Sequence, residues 1–369
     1  MKHGASKWIP FILIFAIQNI TATANTDSTK TAKPSISWEA FGDFFWAYDN
    51  NKPTGENRQP FLYNHNRHAS VDLNLAYFKL GISHARYRAN LSVQTGTYVY
   101  DNYASDHDLL RYFQEANAGI AINKKKNLWL DAGIFASHIG FESAISAENI
   151  NLSRSLLAEN SPYYMAGAKL SFEPNPSWKM SASILNGWQR IQPIAGNSLP
   201  ALGTQITYTK NQKFLFNWSS FTGTIDPDSS RRMRYFHNLY GQWKIGEKIL
   251  LIAGLDFGIQ QTGKSSASYH TWFSPIAVAQ YRLSERIKIG SRIERYADIN
   301  NAHIAPINNQ GFDCSGYSLN LDFAPNPSIL LRAEIRHLQS STAIFKNDEK
   351  WQTGNTFALA SVVFKIGKK

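Results

Sequence analysis

Charged side chains at alternate positions are the residues of this sequence whose spacing could do chemistry. Arg292 is followed by Glu294, and Arg332 is followed by Glu334 and Arg336. Residues two apart in an extended strand project from the same face, so each group would present alternating charges to one surface. Such a surface can tile a wall with ion pairs, or it can attract and screen dissolved anions. The sequence leaves both possibilities open.

Similar charged positions recur elsewhere along the chain. Arg86 and Arg88 alternate with apolar neighbours, and we assign them to the polar face of one predicted strand. Acidic residues on other polar faces would supply the counter-charges. The full set of candidates for one charged inner surface is Arg86, Arg88, Arg292, Arg332, Arg336, Asp72, Asp131, Asp256, Glu294 and Glu334.

Signals for catalysis are weak by comparison. His65 and His68 have no carboxylate at metal-ligand spacing, so they do not indicate a zinc site. The sequence has no Gly-x-Ser-x-Gly turn and no glycine-rich phosphate loop. Asp226 and Asp228 could contribute to a calcium site, although a plain turn is the simpler interpretation. We therefore expect no catalytic residues, no metal and no cofactor.

The first 24 residues have the pattern of an export signal. Lys2 and Lys7 give a positive start, residues 8–17 are apolar, and small residues at 22–24 suit a signal peptidase. The apolar run is too short for a membrane-spanning helix, which needs about 20 residues. We expect residues 1–24 to be a signal peptide, 25–35 a flexible polar lead-in, and 36–369 the folded domain.

Charge and cysteine content restrict the partners. The chain has 369 residues, a net charge of +11 and a single cysteine, Cys314, which excludes an internal disulfide framework. An exported chain seldom meets nucleic acid, and its basic residues are scattered along the sequence. Lipid headgroups, including lipopolysaccharide, and small hydrophilic solutes are therefore the expected partners, with no nucleic acid.

Period-two alternation runs through the chain from residue 36 and predicts strands. Tyr317, Leu319 and Leu321, for example, alternate with Ser318 and Asn320. Each such stretch has one apolar and one polar face. Aromatic residues recur near the predicted strand ends, as in a membrane interface belt: Trp38, Trp46, Tyr98, Trp129, Trp178, Trp188, Tyr208, Trp243 and Tyr281.

The breaks between these stretches sort into two alternating kinds. Seven are short turns, and eight are long loops at about 49–68, 99–110, 138–161, 189–199, 223–232, 261–269, 299–313 and 341–354. Sixteen strands with one short-turn end and one long-loop end predict a transmembrane antiparallel up-and-down β-barrel, with periplasmic turns and extracellular loops. A soluble β-sandwich, the alternative, would not sort its connections so regularly.

Residues 131–190 carry a resemblance to a known family. Asp131 to Glu142, Ser153-Arg-Ser155, residues 159–163 and residues 185–190 resemble the central block of the OmpL-like β-barrel porins of the porin-2 type, common in Bacteroidetes and related Gram-negative bacteria. The likeness extends through residues 98–103 over most of the chain. It implies an outer-membrane barrel with porin activity, and it names neither a solute nor a catalytic residue.

The long loop at 138–161 is the candidate constriction of such a pore. Residues 147–157 are expected to make a short helix with Leu152, Leu156 and Leu157 on one face. Folded inward, the loop would place its charges against the arginine-bearing wall and focus the electric field there. Those charges are Glu142, Glu148, Arg154 and Glu159. The alternative is an outward surface loop.

Three functions remain for the predicted barrel. The first is passive diffusion of small hydrophilic solutes with a preference for anions. The second is a barrel enzyme, which would need His, Ser and Asp side chains to converge on the wall. The third is a closed barrel that serves as an adhesin or structural anchor. A lipid-facing surface and a trimer interface are both apolar, so a homo-oligomer such as a trimer is possible in each case.

Overall fold

The structure is a computed structural model that describes residues 33–53, 55, 57–347 and 350–368. The signal peptide expected at residues 1–24 lies outside the described residues, as does the expected lead-in up to residue 32. The first strand begins at Ser35.

Sixteen strands among the described residues close into one antiparallel barrel, which confirms the predicted fold. Each strand pairs with the next one along the chain, and the last pairs with the first. The first eight are β1 (Ser35–Asp49), β2 (Val71–Ser83), β3 (Tyr87–Thr95), β4 (Phe113–Ala121), β5 (Leu128–Ala136), β6 (Tyr164–Asn175), β7 (Trp178–Leu185) and β8 (Ala201–Lys210). The others are β9 (Phe214–Thr224), β10 (Met233–Ile245), β11 (Ile249–Gln261), β12 (Tyr269–Arg282), β13 (Ile287–Asp298), β14 (Phe312–Asn326), β15 (Ile329–Ser340) and β18 (Gly354–Lys368).

The connections alternate in length as the sequence predicts. Within the described ranges, seven turns of two to six residues lie at one end of the barrel, and eight longer loops lie at the other. The last loop carries a small hairpin, β16 (Phe345–Asn347) and β17 (Lys350–Gln352). Two short helices, α1 (Thr97–Asn102) and α2 (Leu156–Glu159), also lie in loops. In the part of the chain that the structure describes, no helix is long and apolar enough to cross a membrane.

Alternation along the strands separates an apolar outer face from a polar inner face. Tyr317, Leu319 and Leu321 of β14 are exposed on the outside, whereas Asn320 and Asp322 are buried inside. Side chains that pair across neighbouring strands share a face, so this division continues around the barrel. Apolar side chains dominate the outside, and most polar side chains of the strands point inward.

A bulge in β2 reverses this alternation. The pairing of β1 with β2 skips Asn74, so Asn74 and Leu75 are both buried. Val71 and Leu73 lie on the outer face, but Leu75 and Tyr77 turn inward and pack with Phe41. One extra residue moves every later side chain to the opposite face. Period-two spacing in the sequence predicts that Val71, Leu73, Leu75 and Tyr77 share one face, and the bulge makes that prediction wrong.

The aromatic belt is also incomplete. Trp38, Trp178 and Trp243 are exposed near strand ends, as expected. Tyr98 instead lies in α1 and is buried inside the barrel. Trp188 lies in a loop and packs edge-on against Phe221 and Phe236. Both residues fill the long-loop end of the barrel rather than the membrane interface.

Candidate functional site: a loop bound inside the barrel

The longest connection, residues 137–163 between β5 and β6, folds into the barrel lumen. We call it the lumen loop. Leu152 and Leu156 in this loop are fully buried. The backbone amide of Leu152 donates to the Asn320 side chain on β14 at 3.0 Å, and that of Leu156 donates to Glu294 on β13 at 2.6 Å. The loop is therefore bound to the inner wall through its own backbone.

Ser153 is the centre of this attachment. Its amide and hydroxyl both donate to the Glu334 carboxylate, at 2.6 and 2.8 Å. Arg292 donates to the carbonyl oxygen of Ser153 at 2.8 Å and also contacts both Glu294 and Glu334. All these charged side chains are buried. An ion pair in this setting is stable only when further hydrogen bonds satisfy both partners, and the loop backbone supplies them here.

The other two wall arginines bind the loop in the same way. Arg336 donates to the Arg154 carbonyl oxygen at 2.8 Å and to Glu294 at 2.6 Å. Arg332 pairs with Asp322 at 2.8 Å and donates to the carbonyl oxygens of residues 149 and 150. The guanidinium groups are thus neutralised by carboxylates and covered by the loop. At these positions the arginines form ion pairs along the inner wall, and they do not present free positive charge to anions in the water of the lumen.

Glycines on the inner wall make room for the loop. A Cβ atom on Gly290 would lie 2.8 Å from the Ile150 side chain, and one on Gly203 would lie 2.6 Å from the His138 ring. Neither distance is compatible with van der Waals radii, so any larger residue would push the loop away. Inward-facing glycines opposite a long loop are a sequence signal that could have indicated the docking.

Within the loop, the expected single helix over residues 147–157 does not form. A 3₁₀ turn covers Ser146–Glu148, and α2 begins only at Leu156. Arg154 donates to the carbonyl oxygens of residues 143, 144 and 152, while Arg332 takes those of 149 and 150. Arginines from the loop and the wall thus occupy carbonyls that a continuous helix would bond internally. Arg154 accordingly holds the loop together instead of facing the wall.

The remaining loop charges have varied positions. Glu142 accepts a hydrogen bond from the Ser155 amide at 3.1 Å and lies 3.7 Å from Arg292, so it does face the wall. Glu148 instead contacts Lys365 on β18 at 3.3 Å. Of these two candidates for a charge facing the arginine wall, Glu142 takes that position and Glu148 does not.

The other predicted wall residues are dispersed. Arg88 on β3 binds Asp131 on β5 through two hydrogen bonds of 2.7 and 2.6 Å. Arg86 does not belong to a strand, because the chain turns at residues 84–86 and leaves it exposed at the turn. Asp72 is bonded to Ser70, and Asp256 accepts from Asn238 at 2.6 Å. Neither aspartate has a basic partner within 4 Å among the described residues, so their expected role as counter-charges is wrong.

Glu159 connects the lumen loop to the first long loop, residues 50–70. Its carboxylate accepts hydrogen bonds from the Tyr63 amide at 2.9 Å and from the Asn64 amide at 3.3 Å. The Asn64 side chain donates to Glu159 at 3.1 Å and to the Tyr163 hydroxyl at 3.3 Å. We call Tyr63, Asn64, Glu159 and Tyr163 the loop junction. Glu159 therefore faces another loop, not the arginine wall as predicted.

The first long loop is itself anchored inside the barrel. The His65 ring lies 2.9 Å from the Asp43 carboxylate of β1, and its amide donates to the Asn74 side chain at 2.8 Å. Arg58 donates to the His65 carbonyl oxygen and stacks over Phe357. No pattern in the sequence indicates this anchor, because Asn74 reaches the loop only through the bulge in β2.

Two cavities lie on either side of the loop junction. The inner cavity, of ≈ 670 Å³, extends from Trp38 and Lys365 at the short-turn end to Tyr163 and Tyr164. Charged pairs line it, including Lys79 with Glu115 at 2.7 Å. The outer cavity, of ≈ 550 Å³, lies among the long loops and is lined by Tyr63 and Glu159. Tyr163 lines the inner cavity, whereas Tyr63 and Glu159 line the outer one, so the loop junction lies between the two cavities.

Glu159 makes this junction sensitive to pH. Burial raises the pKa of Glu159 to about 7, although the amides of Tyr63 and Asn64 and the charges of Arg154 and Arg336 oppose the shift. The docked loop therefore favours the protonated form of Glu159. The protonated carboxyl stabilises the docked loop fully below pH about 4.5, and this stabilisation is lost as the pH rises through about 7. The loss amounts to about 3 kcal/mol at 1.36 kcal/mol per pKa unit.

The Glu159→Gln variant isolates this effect, because glutamine cannot ionise. We expect the free energy of unfolding of the wild type, relative to this variant, to fall by about 3 kcal/mol between pH 4.5 and 8. Urea titrations of both proteins in detergent micelles measure the difference, and all other titrating groups cancel in it. A difference between the two proteins that does not change with pH would refute the assignment.

The geometry defines a class of protein. A closed antiparallel barrel with an apolar exterior, a polar lumen, short turns at one end and an inward-folded loop is the architecture of transmembrane porins.

The chain belongs to the family described as putative beta-barrel porin-2, OmpL-like, whose model matches residues 35–366. It is therefore an integral outer-membrane barrel, as the resemblance of residues 131–190 implied. No curated protein matches the chain.

Solved porins and channels share the fold at low sequence identity. An anion-selective porin from Comamonas acidovorans superposes with a TM-score of 0.61 at 7% identity, over 90% of this chain and 100% of that one. The outer-membrane channel DcaP of Acinetobacter baumannii gives 0.58 at 10% identity, over 93% and 100%. OprB of Pseudomonas putida gives 0.56 at 9% identity, over 90% and 94%. These similarities concern the fold alone.

Proposed function

We propose that the barrel is a passive pore for small hydrophilic solutes, and that the lumen loop is its constriction. The observation that carries this proposal is the inner cavity, which extends along β1–β6 beside the docked loop. A sixteen-stranded barrel is wide enough to hold water. The loop contacts the wall mainly along β8–β15, with a further contact from Glu148 to Lys365 on β18. Solutes would enter this polar cavity and meet their narrowest point at the loop junction.

The constriction has a clear physical basis in this proposal. The loop is fixed by buried ion pairs at Ser153 and by the loop junction at Glu159. A rigid loop keeps the bore constant, so solutes are sorted by size and charge without a specific binding site. Mixed charges along the inner cavity, such as Lys365 with Glu39 at 3.3 Å, suit hydrated polar solutes in general.

The proposed pore has no catalytic activity. Among the described residues, the one ion pair between a histidine and a carboxylate is His65 with Asp43, and neither side chain is exposed. A substrate would not reach it, and its contacts with Asn74 explain it as a structural anchor. Within the same described ranges, no cluster of three or more His, Cys, Asp or Glu is placed to hold a metal ion. These observations favour a pore over a barrel enzyme.

Anion preference and assembly also belong to the proposal. The preference cannot come from Arg292, Arg332 and Arg336, because carboxylates and loop carbonyls already neutralise them. One solved neighbour, OmpT of Vibrio cholerae, is described in a trimer form, with a TM-score of 0.57 at 8% identity. A homotrimer is the corresponding prediction for this chain, and contact with lipopolysaccharide is likewise a prediction.

Liposome swelling tests the proposed function with the full-length wild type. Vesicles containing the purified barrel should swell in isotonic solutions of small neutral sugars, at rates that fall steeply as the sugar becomes larger. Vesicles with heat-unfolded protein serve as the control. If no sugar enters while the barrel is folded, the pore proposal fails and the closed barrel, an adhesin or structural anchor, replaces it.

A further inference from the structure

Basic side chains are concentrated at the short-turn end of the barrel, although they are scattered along the sequence. They lie in the turns or in the strand residues next to them. They are Arg86, Lys124, Lys125, Lys126, Lys179, Lys210, Lys213, Lys244, Lys248, Arg282, Arg286, Lys288, Lys365 and Lys368. The acidic residues at the same depth are Glu39, Asp131, Glu173, Glu247, Glu285 and Asp322, of which Asp131 pairs with Arg88 and Asp322 with Arg332. We call this end the basic mouth.

Few charges at the basic mouth are neutralised. Lys179 pairs with Glu173, Arg282 with Glu285 at 4.0 Å, and Lys365 with Glu39 and Glu148. In the described ranges, the other members of the set have no carboxylate oxygen within 4 Å.

At the long-loop end most arginines are paired with aspartates, whereas Lys52, Arg190, Lys264, Lys346 and Lys350 have no ion pair among the described residues. Arg67 binds Asp101 at 2.8 Å, and Arg232 binds Asp226 at 2.9 Å. Arg111, Arg231 and Arg295 pair with Asp108, Asp228 and Asp313 in the same way. The described residues therefore carry more unpaired positive charge at the short-turn end than at the long-loop end.

Strand register places several of these charges over the lumen. Lys244 on β10 pairs with Leu250 on β11, so the two side chains share a face. Leu250 packs against the buried cluster that contains Ile150 and Leu157 of the lumen loop, so this face is the inner one. Lys288 lies between Arg282 on β12 and Asp322 on β14, and Asp322 is an inward-facing residue. Lys365 and Lys368 line the inner cavity itself. Lys365 and Lys368 thus lie at the inner cavity, and Lys244 and Lys288 face the same end of the lumen from β10 and β13.

We propose that the charge selectivity of the pore is set at this basic mouth, which draws small anions into the inner cavity. The inference rests on the proposed pore function and supplies its substrate class. Unpaired charges of one sign around a low-dielectric opening raise the local concentration of counter-ions. The buried arginines at the lumen loop contribute little, since their fields are cancelled by Glu294, Glu334 and Asp322.

The charge asymmetry also has a consequence for the direction of current. A pore with positive charge at one mouth passes anions more readily from one side than from the other, so the current should rectify in dilute salt. Screening lengths fall from about 10 Å at 0.1 M to about 3 Å at 1 M, so both selectivity and rectification should weaken in concentrated salt.

Two double variants with equal loss of charge test the proposal. Lys244→Gln with Lys288→Gln removes charges that face the lumen. Lys125→Gln with Lys210→Gln removes exposed charges at the same end, of which Lys210 faces outward beside Phe214 in the strand register. The lumen-facing side chains are exposed or half-buried and carry no ion pair among the described residues, so both variants should fold.

Reversal potentials in a tenfold potassium chloride gradient, across phosphatidylcholine bilayers near 0.1 M, measure the outcome. The wild type should prefer chloride, and the lumen-facing variant should lose roughly half or more of that preference. The outward variant should keep it. An unchanged preference in the lumen-facing variant, or an equal loss in both, would overturn the proposal. A folded wild type that conducts no current would instead refute the pore function.

Discussion

The Glu334→Ala variant is expected to lose about 3–5 kcal/mol of free energy of unfolding, the cost of removing one partner from a buried ion pair. Glu334 has no solvent exposure, and it accepts hydrogen bonds from both the amide and hydroxyl of Ser153. Its removal leaves the Ser153 amide unsatisfied and gives Arg292 one carboxylate fewer. The lumen loop should therefore detach before the barrel strands separate.

Equilibrium urea titration of the barrel refolded into lipid vesicles measures this loss. Glu285→Ala is the matched control, because Glu285 lies 92% exposed in a turn and its contact with Arg282 is 4.0 Å long. A surface ion pair of this kind contributes about 0–1 kcal/mol. If Glu334→Ala costs no more than Glu285→Ala, the loop is not held by the wall charges.

Much of the fold could be predicted from the sequence because the two faces of each strand meet different environments, lipid on the outside and the polar lumen on the inside. A lipid-facing exterior demands apolar side chains at every second residue, as at Tyr317, Leu319 and Leu321. Turn and loop lengths then follow from where the alternation stops. These two patterns gave the sixteen strands and the ends of most loops to within a few residues.

The partners of the charged residues could not be predicted in the same way. Alternation places Arg292, Arg332 and Arg336 on the inner face, but it cannot show what covers them. Their main partners are backbone carbonyls of a loop more than 130 residues away in sequence. Backbone groups carry no sequence signature, so only the three-dimensional course of the loop reveals that these arginines are neutralised.

Local departures from regularity account for the other errors. The bulge at Asn74 turns Leu75 and Tyr77 inward, although their spacing matches that of outward residues. Tyr98 is drawn inside because the chain forms α1 directly after β3 and packs it against Tyr163. The basic mouth could not be predicted either, because its lysines come from turns that are far apart in sequence and meet only when the barrel closes.

Shortening the lumen loop should have the largest effect on conduction. Replacing residues 143–158 by a short Gly-Ser linker would remove Ser153, Arg154 and most of α2 from the lumen while leaving every barrel strand intact. Water would then hydrate Arg292, Glu294 and Glu334, which remain paired with each other across the strands. We expect the single-channel conductance to rise roughly threefold, because the lumen of a sixteen-stranded barrel is otherwise an open aqueous channel.

Single-channel recording in planar bilayers, with wild type and loop-shortened barrel side by side in 1 M potassium chloride, is the most direct test of a pore constricted by this loop. A third variant that loses residues 263–267 from the rim loop between β11 and β12 serves as the control for shortening itself. We predict uniform steps for the wild type, unchanged steps for the control, and steps roughly three times larger without the lumen loop. A folded wild type that gives no steps, or equal steps from all three proteins, would contradict a pore that is constricted by the lumen loop.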